Sequence, residues 1–392
     1  MINLDSNANT LPTQEVVNTF LKYSGAGNIN RLNKQSEIIN SKIDDFRTYI
    51  NDLYDLNDEY EIIFNSGASE GNCTIIRTIV DQQLKSGNIP HILISNVEHS
   101  SVIACCKDLE NLITYDELKV DTYGKYYGCI NPEKLIDYLK KSKRPSLIFF
   151  MYANNEHGSI NPMKELSKIA HSYEIPFCSD CVQIIPRFII SPRKTGIDAM
   201  TLSFHKMYGF TSIGALIIRK DLITNLKPLI SGHGYRAGTV NAGLILSSYI
   251  AFAQTMKKRE DKTNIMIEKK NYLITELNKK IKTVYIDDYE NKYACLVLCM
   301  NKYKSLPNTI FLSTNIKSAC NIEILTKLDK KGIMIGLGSA CSSKSENRIL
   351  SAVNAPAELH QSIIRVSFND YTTERDLKLF ADCYINIITK GQ

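Results

Sequence analysis

The chain has 392 residues, 44% of them hydrophobic and 22% charged, which suits one large apolar core with a smaller second one. No apolar run approaches the roughly 18 residues of a membrane-spanning helix, and residues 1–5 lack a basic region followed by an apolar core, so a cytoplasmic location without a membrane partner is expected. The net charge of +6 is scattered in small clusters such as Lys257-Lys258-Arg259, which read as solvated helix ends and not as a nucleic-acid footprint.

In chain order, the first strong pattern is Ile39, Ile43, Phe46 and Ile50, the apolar stripe of a helix packed on one face. Glu61 to Phe64 reads as a strand leading into Asn65-Ser66-Gly67-Ala68-Ser69-Glu70-Gly71-Asn72, within which a helix begins. Free amides at a helix start bind phosphate and Ser69 can donate as well, although an ordinary helix cap has the same appearance. His91 to Ser95 is a further expected strand, with His99 just beyond it. Ser146 to Met151 is apolar throughout, as befits a strand covered on both faces, and Ala153-Asn154-Asn155-Glu156 follows it. Pro162, Leu166, Ile169 and Ala170 mark a helix, and Ile175 to Asp180, Asp198 to Leu202 and Ile213 to Ile218 read as strands. Such alternation is the grammar of a parallel sheet. Residues 244–281 carry helical periodicity without strong breakers and look like a bridge to a second domain. There Tyr293 to Leu298, Thr309 to Leu312 and Ile363 to Phe368 are expected strands, with Ile322 to Leu328 and Glu374 to Ile387 as helices.

Eleven cysteines in a chain without a secretory leader imply reduced thiols. Cys178-x-x-Cys181 has the spacing of a dithiol or of half a zinc site, but Asp180 lies inside it and no second pair follows, so no metal is expected. The most informative stretch is Ser203-Phe204-His205-Lys206-Met207-Tyr208-Gly209. A lysine at the mouth of a strand can be held in a site poor in water. Desolvation lowers its pKa and frees its lone pair for attack on an aldehyde, which is how pyridoxal phosphate (PLP) is anchored. Asp180, at the end of the preceding expected strand, could keep a pyridine nitrogen protonated; for either residue alone a solvated or capping role is the plainer reading, and the two are better explained together.

Ser203-x-His205-Lys206-x-x-Gly209 with Asp180-x-x-Gln183 resembles the class V aminotransferase family, and Gly338-Ser339-Ala340-Cys341 is similar to the marker of its cysteine desulfurases of the NifS/IscS type. Matching segments occur in the same order from Asp5 to Thr373. The resemblance implies an α/β, fold-type I PLP-dependent transferase. Its large domain, residues 13–250, would hold a mainly parallel seven-stranded sheet, and residues 1–12 and 251–392 would form a smaller α+β domain carrying the cysteine loop.

The resemblance also implies roles for residues. Ala68, Ser69, Ser203 and His205 would surround the cofactor phosphate, Lys206 would anchor the cofactor, and Asp180 would face its ring nitrogen. Asn155 and Gln183 would share its phenolic oxygen, while His99 would stack on the ring and exchange protons. Arg365, with Asn155 beside it, would hold the substrate carboxylate. Thr239 would reach the phosphate of a neighbouring subunit, which implies a homodimer. Cys341 would take sulfur from L-cysteine as a persulfide, leaving L-alanine, and pass it to an acceptor protein for iron-sulfur cluster assembly or thio-modification. Three stretches depart from the family pattern: residues 29–34, Phe210-Thr211-Ser212 and a shortened 232–239 segment. They leave room for a selenocysteine lyase, another class V enzyme, or a binding subunit that keeps the fold.

Overall fold

A computed structural model describes residues 1–26, 29, 31–316, 320–337 and 347–389; the expected Cys341 loop lies outside them. The first half runs β1 (Ile2–Leu4), α1 (Gln14–Ser24), α2 (Lys34–Tyr54), β2 (Tyr60–Asn65), α3 (Ala68–Lys85), β3 (His91–Ser95), α4 (Ser100–Asp108), β4 (Thr114–Leu118) and α5 (Pro132–Lys141). Then come β5 (Leu147–Phe149), α6 (Met163–Ser172), β6 (Phe177–Asp180), α7 (Pro192–Thr195), β7 (Ala199–Ser203), β8 (Gly214–Arg219), α8 (Ala242–Met256) and α9 (Arg259–Asn278). The remainder is β9 (Thr283–Tyr285), β10 (Leu296–Leu298), β11 (Thr309–Thr314), α10 (Asn321–Asp329), β12 (Ile333–Ile335), α11 (Arg348–Ala352), β13 (Ile364–Ser367) and α12 (Glu374–Thr389).

Successive side chains of a strand point to opposite faces, so a strand apolar at every position needs cover on both. The central strands meet that condition. Leu93, Ile148, Phe177, Met200 and Ile217 enter one apolar layer with Ile39, Ile43, Phe46 and Ile50 of α2. Their neighbours Ile92, Ile94, Leu147, Phe149, Cys178, Ala199, Leu216 and Ile218 enter the other, with Ile75, Ile76 and Ile79 of α3 and Val102 and Cys105 of α4. The sheet has seven strands in the order β2-β8-β7-β6-β5-β3-β4. Only β8 runs against its neighbours β2 and β7; the pairings from β7 to β4 are parallel. This is the mainly parallel sheet that the sequence led us to expect.

A second, four-stranded sheet, β13-β11-β10-β9, packs with α9, α10 and α12 around its own apolar cluster, which Leu4 of β1 joins. β1 pairs in parallel with β12, so the start of the chain is stitched to its last third. The helical run expected over 244–281 is two helices, because Lys258 adopts a left-handed turn with φ of 52° between them. No proline or glycine announces that break. The buried Arg259–Asp370 ion pair, at 3.1 Å, instead docks the start of α9 against the segment leading into α12.

Two features of this scaffold place the lysine turn. Phe204, fully buried, packs on Phe46 and Phe252 at ring separations of 5.6 and 6.1 Å, which pins the residues that follow it. Gly214 lets β8 pass the turn at Gly67, since a Cβ there would stand 2.6 Å from the Gly67 Cα and closer still to the Leu202 carbonyl. Gly214→Ala is expected to cost about 1–3 kcal/mol by overpacking. Gly25→Ala, where a Cβ would meet nothing within 4 Å, serves as the near-neutral control. Urea denaturation of the two variants checks this, and equal midpoints would refute it.

Candidate active site

In a parallel sheet, side chains at the carboxyl ends of the strands converge on one edge, where ligands bind. The segments after β2, β3, β5, β6 and β7 meet there around a cavity of about 220 Å³. Ala68 and Ser69 come from the β2–α3 turn, His99 from the segment after β3, and Asn155 from that after β5. Asp180 ends β6 and Gln183 follows it; Ser203 ends β7 and His205 and Lys206 follow it. Arg365 reaches the same space from β13. Thr239 does not join them. It lines a larger hollow of about 390 Å³ that contains none of the lysine's neighbours.

Lys206 ends a short 3₁₀ turn, Phe204–Lys206, and its Nζ donates to the Asn7 and Ala8 carbonyls at 2.6 Å each. It makes no ion pair among the described residues. Burial, reinforced by the positive charges of Arg365 and Arg187, lowers its pKa to about 7. His205 beside it is pushed down to about 4 by burial and by Lys206, so its ring is neutral near pH 7.

Asp180 is nearly buried but satisfied: Asn72 Nδ2 donates to one carboxylate oxygen at 2.9 Å and the Val182 amide to the other at 3.0 Å. Asn72 is itself oriented by Thr201 Oγ1, which donates to its side-chain oxygen at 2.7 Å. α3 begins at Gly67, whose φ of 143° and missing side chain leave the helix start uncapped by its own residue. The Ala68 amide instead donates to Ser203 Oγ at 2.9 Å, which ties the helix start to the strand that leads to the lysine. His99 caps α4: its Nδ1 receives the Ser101 amide at 3.2 Å, so the proton resides on Nε2 in the neutral ring.

Arg365 donates to the Asn155 carbonyl at 3.0 Å and to Asp5 Oδ1 at 2.7 Å, while its Nε is buried with no partner among the described residues. Gln183 gives its amide to the Asn7 carbonyl at 3.1 Å and leaves its own oxygen buried and without a partner among the described residues. Sequence reasoning missed three residues that hold this arrangement. Asp5 pairs with Arg365, Asn72 orients Asp180, and Arg187 holds the Asn7 side chain at 2.9 Å. For Asn72 a signal existed: it stands three residues after Ser69 on the same helix, hence on the same face. The Cys178-x-x-Cys181 spacing does not pair two thiols, because Cys178 enters one apolar layer of the sheet and Cys181 the other.

A half-buried amine without a counter-ion among the described residues, a carboxylate met by neutral donors, and a guanidinium with a spare donor make a set of groups whose chemistry suits an aldehyde cofactor and an amino acid. The comparisons agree. A model of the class-V aminotransferase family matches residues 2–380, and the chain belongs to that family. Within it, the chain is 36% identical over 339 residues to the cysteine desulfurase IscS of Dictyoglomus turgidum, covering 84% of this chain and 79% of the relative. It is 30% identical to the cysteine desulfurase IscS of Methanosarcina thermophila, over 99% of this chain and 92% of that protein. The NifS-like protein of Rickettsia africae superposes with a TM-score of 0.79 at 27% identity, covering 99% of each chain.

The family works with PLP, and the residues present fit that group. The depressed amine of Lys206 and the open polar atoms of Gln183 and Arg365 all belong to the residues lining one cavity. Because burial disfavours the charged amine, Lys206 is neutral above about pH 7. The rate at which cofactor-free protein captures added PLP is therefore expected to rise with pH to a midpoint near 7. Visible absorbance reports it. A midpoint near the ordinary lysine range of about 10 would refute the desolvation argument.

Proposed function

We propose that this chain is a PLP-dependent cysteine desulfurase that converts L-cysteine to L-alanine and passes the sulfur, through a persulfide on Cys341, to an acceptor protein. The observation that carries the reading is the meeting of Lys206, Asp180 and Arg365 on one cavity, with the amine's pKa lowered to about 7. When bound, PLP supplies an aldehyde that links to amines and a ring that withdraws electrons from the adjacent carbon.

The chain's own residues supply the rest. The Ala68–Ser69 turn at the start of α3 offers amides and a hydroxyl to a phosphate, with Ser203 and neutral His205 beside it. Asp180, held by Asn72 and the Val182 amide, lines the cavity and would face the cofactor's ring nitrogen. Arg365 grips the substrate carboxylate with Asn155 alongside, while Gln183 supports the cofactor's phenolic oxygen. Lys206, neutral above its lowered pKa of about 7, accepts the proton from the substrate Cα and returns it later. His99, with the proton on Nε2, serves the substrate thiol. The Cys341 thiolate forms a bond to the substrate sulfur as the carbon–sulfur bond breaks; the electron pair stays on the carbon, which takes up a proton and becomes the methyl group of alanine.

The proposal extends to a homodimer in which Thr239 completes the partner's phosphate site, a reading favoured by its position away from its own chain's cavity. Among the described residues no helix is long and apolar enough to cross a membrane, and we place the enzyme in the cytoplasm.

The test is alanine released from L-cysteine by PLP-loaded protein in the presence of a thiol reductant, wild type beside Cys341→Ala and Lys206→Ala. Lys206→Ala is expected to lose on the order of 10²–10⁴-fold in turnover. Cys341→Ala is expected to pass no sulfur to an acceptor. Alanine from selenocysteine alone would redirect the reading to a lyase, and undiminished sulfur transfer by Cys341→Ala would overturn it.

A further inference from the structure

Outside the lysine's cavity, α3 and α4 bring a second set of reactive side chains together. Cys73 on α3 is half-buried, and Cys105 on α4 is buried in the apolar layer against which Cys73 packs. The Cys73 thiol donates to the Ser101 carbonyl at 3.7 Å, the carbonyl one helical turn before Cys105. The two thiols are near neighbours across the α3–α4 packing, close enough for each to shift the other's ionisation. Arg77 lies one turn further along α3, with its Nε buried and without a partner among the described residues.

This environment separates the two sulfurs. The Cys105 contact, and then the Arg77 charge, hold the Cys73 thiol below its usual range against burial and the opposing Asp108 carboxylate. Cys105 is pushed far upward by the Cys73 contact and by burial. A partly exposed, thiolate-prone cysteine with a protonated cysteine in contact is the arrangement of a peroxide-reactive thiol and its resolving partner. Neither residue takes part in the desulfurase chemistry described above.

We propose that Cys73 and Cys105 form an oxidation site that closes to a disulfide when the protein meets a peroxide. The Cys73 thiolate attacks the O–O bond, forming a sulfenic acid and releasing hydroxide. The Cys105 sulfur then attacks the Cys73 sulfur, the S–O bond breaks, and the departing hydroxide takes the Cys105 proton as water. The two thiols lose two electrons in all and the peroxide is reduced to two waters.

Closure has a consequence for the active site. Disulfide sulfurs stand about 2.05 Å apart, well inside contact distance, so closing the bond moves both side chains and loads the α3–α4 packing. Asn72, next to Cys73, holds Asp180 at 2.9 Å and also donates to Ser101 Oγ at 3.1 Å. Ser101 Oγ in turn lies 2.8 Å from His99 Nδ1. The disulfide therefore disturbs the partner of Asp180 and the seat of the His99 ring in one movement.

Full-length, PLP-loaded protein treated with hydrogen peroxide, alkylated and digested without reductant is expected to yield one crosslinked peptide pair joining Cys73 to Cys105. That pair should be two hydrogens lighter than its parts and vanish on thiol reduction. Cys105→Ala is expected to accumulate a dimedone-labelled Cys73 instead. Recovery of both cysteines alkylated, from protein whose other cysteines have been oxidised, would overturn the proposal, and this mapping needs no variant to fold. Cofactor absorbance retained after gel filtration is expected to fall several-fold on oxidation of wild type but not of Cys73→Ser. Equal retention would remove the coupling to the active site. Neither readout depends on the substrate assigned above.

Discussion

An amine drawn out of water and given, among the described residues, only carbonyl oxygens as partners is the constraint on which this site rests. A carboxylate at the same distance would stabilise the ammonium form and raise its pKa. The Asn7 and Ala8 carbonyls orient Lys206 Nζ without supplying a full counter-charge. Maintaining that arrangement requires the first residues of the chain to lie across the mouth of a site whose lysine is two hundred residues away in sequence. The β1–β12 pairing, the Asn7 amide to Ser367 Oγ at 3.0 Å, and Arg187 on the Asn7 side chain hold them there. The lysine's low pKa is thus a property of how the two ends of the chain are joined.

The carboxylate on the far wall poses the opposite problem. Asp180 is buried, and its oxygens must be met by donors. The relay Thr201–Asn72–Asp180 meets this need with neutral groups drawn from β7, α3 and β6. Each member is fixed by a different element of the parallel sheet layer, so the site's electrostatics and the strand register are one arrangement.

Much of this was legible in the sequence because the central strands are apolar at both alternations, a pattern that leaves a buried parallel sheet and little else. Lys206, Asp180, His99 and Asn155 were readable because each follows such a strand directly, and strand ends of a parallel sheet share an edge. What was not legible depends on contacts distant in sequence. Asp5 beside Arg365 joins residues 360 apart, and nothing local marks it. The Lys258 turn was hidden for a similar reason: a non-glycine residue takes a left-handed conformation there while the buried Arg259–Asp370 contact anchors the helix that follows. The local stretch reads as uninterrupted helix.

The charges around the cavity show how these elements combine. Once Lys206 is neutral, the guanidiniums of Arg365 and Arg187 are set against the carboxylates of Asp5 and Asp180, so the fixed side-chain charges roughly balance. An anionic ligand therefore cannot rely on a surplus of positive side chains. It must be held by oriented dipoles, which the start of α3 provides at one end, and by a guanidinium that redirects a donor from an existing partner at the other. Such a site discriminates by geometry more than by net charge. An acid that presents its carboxylate in the plane of the Arg365 guanidinium would share that plane with Asp5, which already takes one Nη.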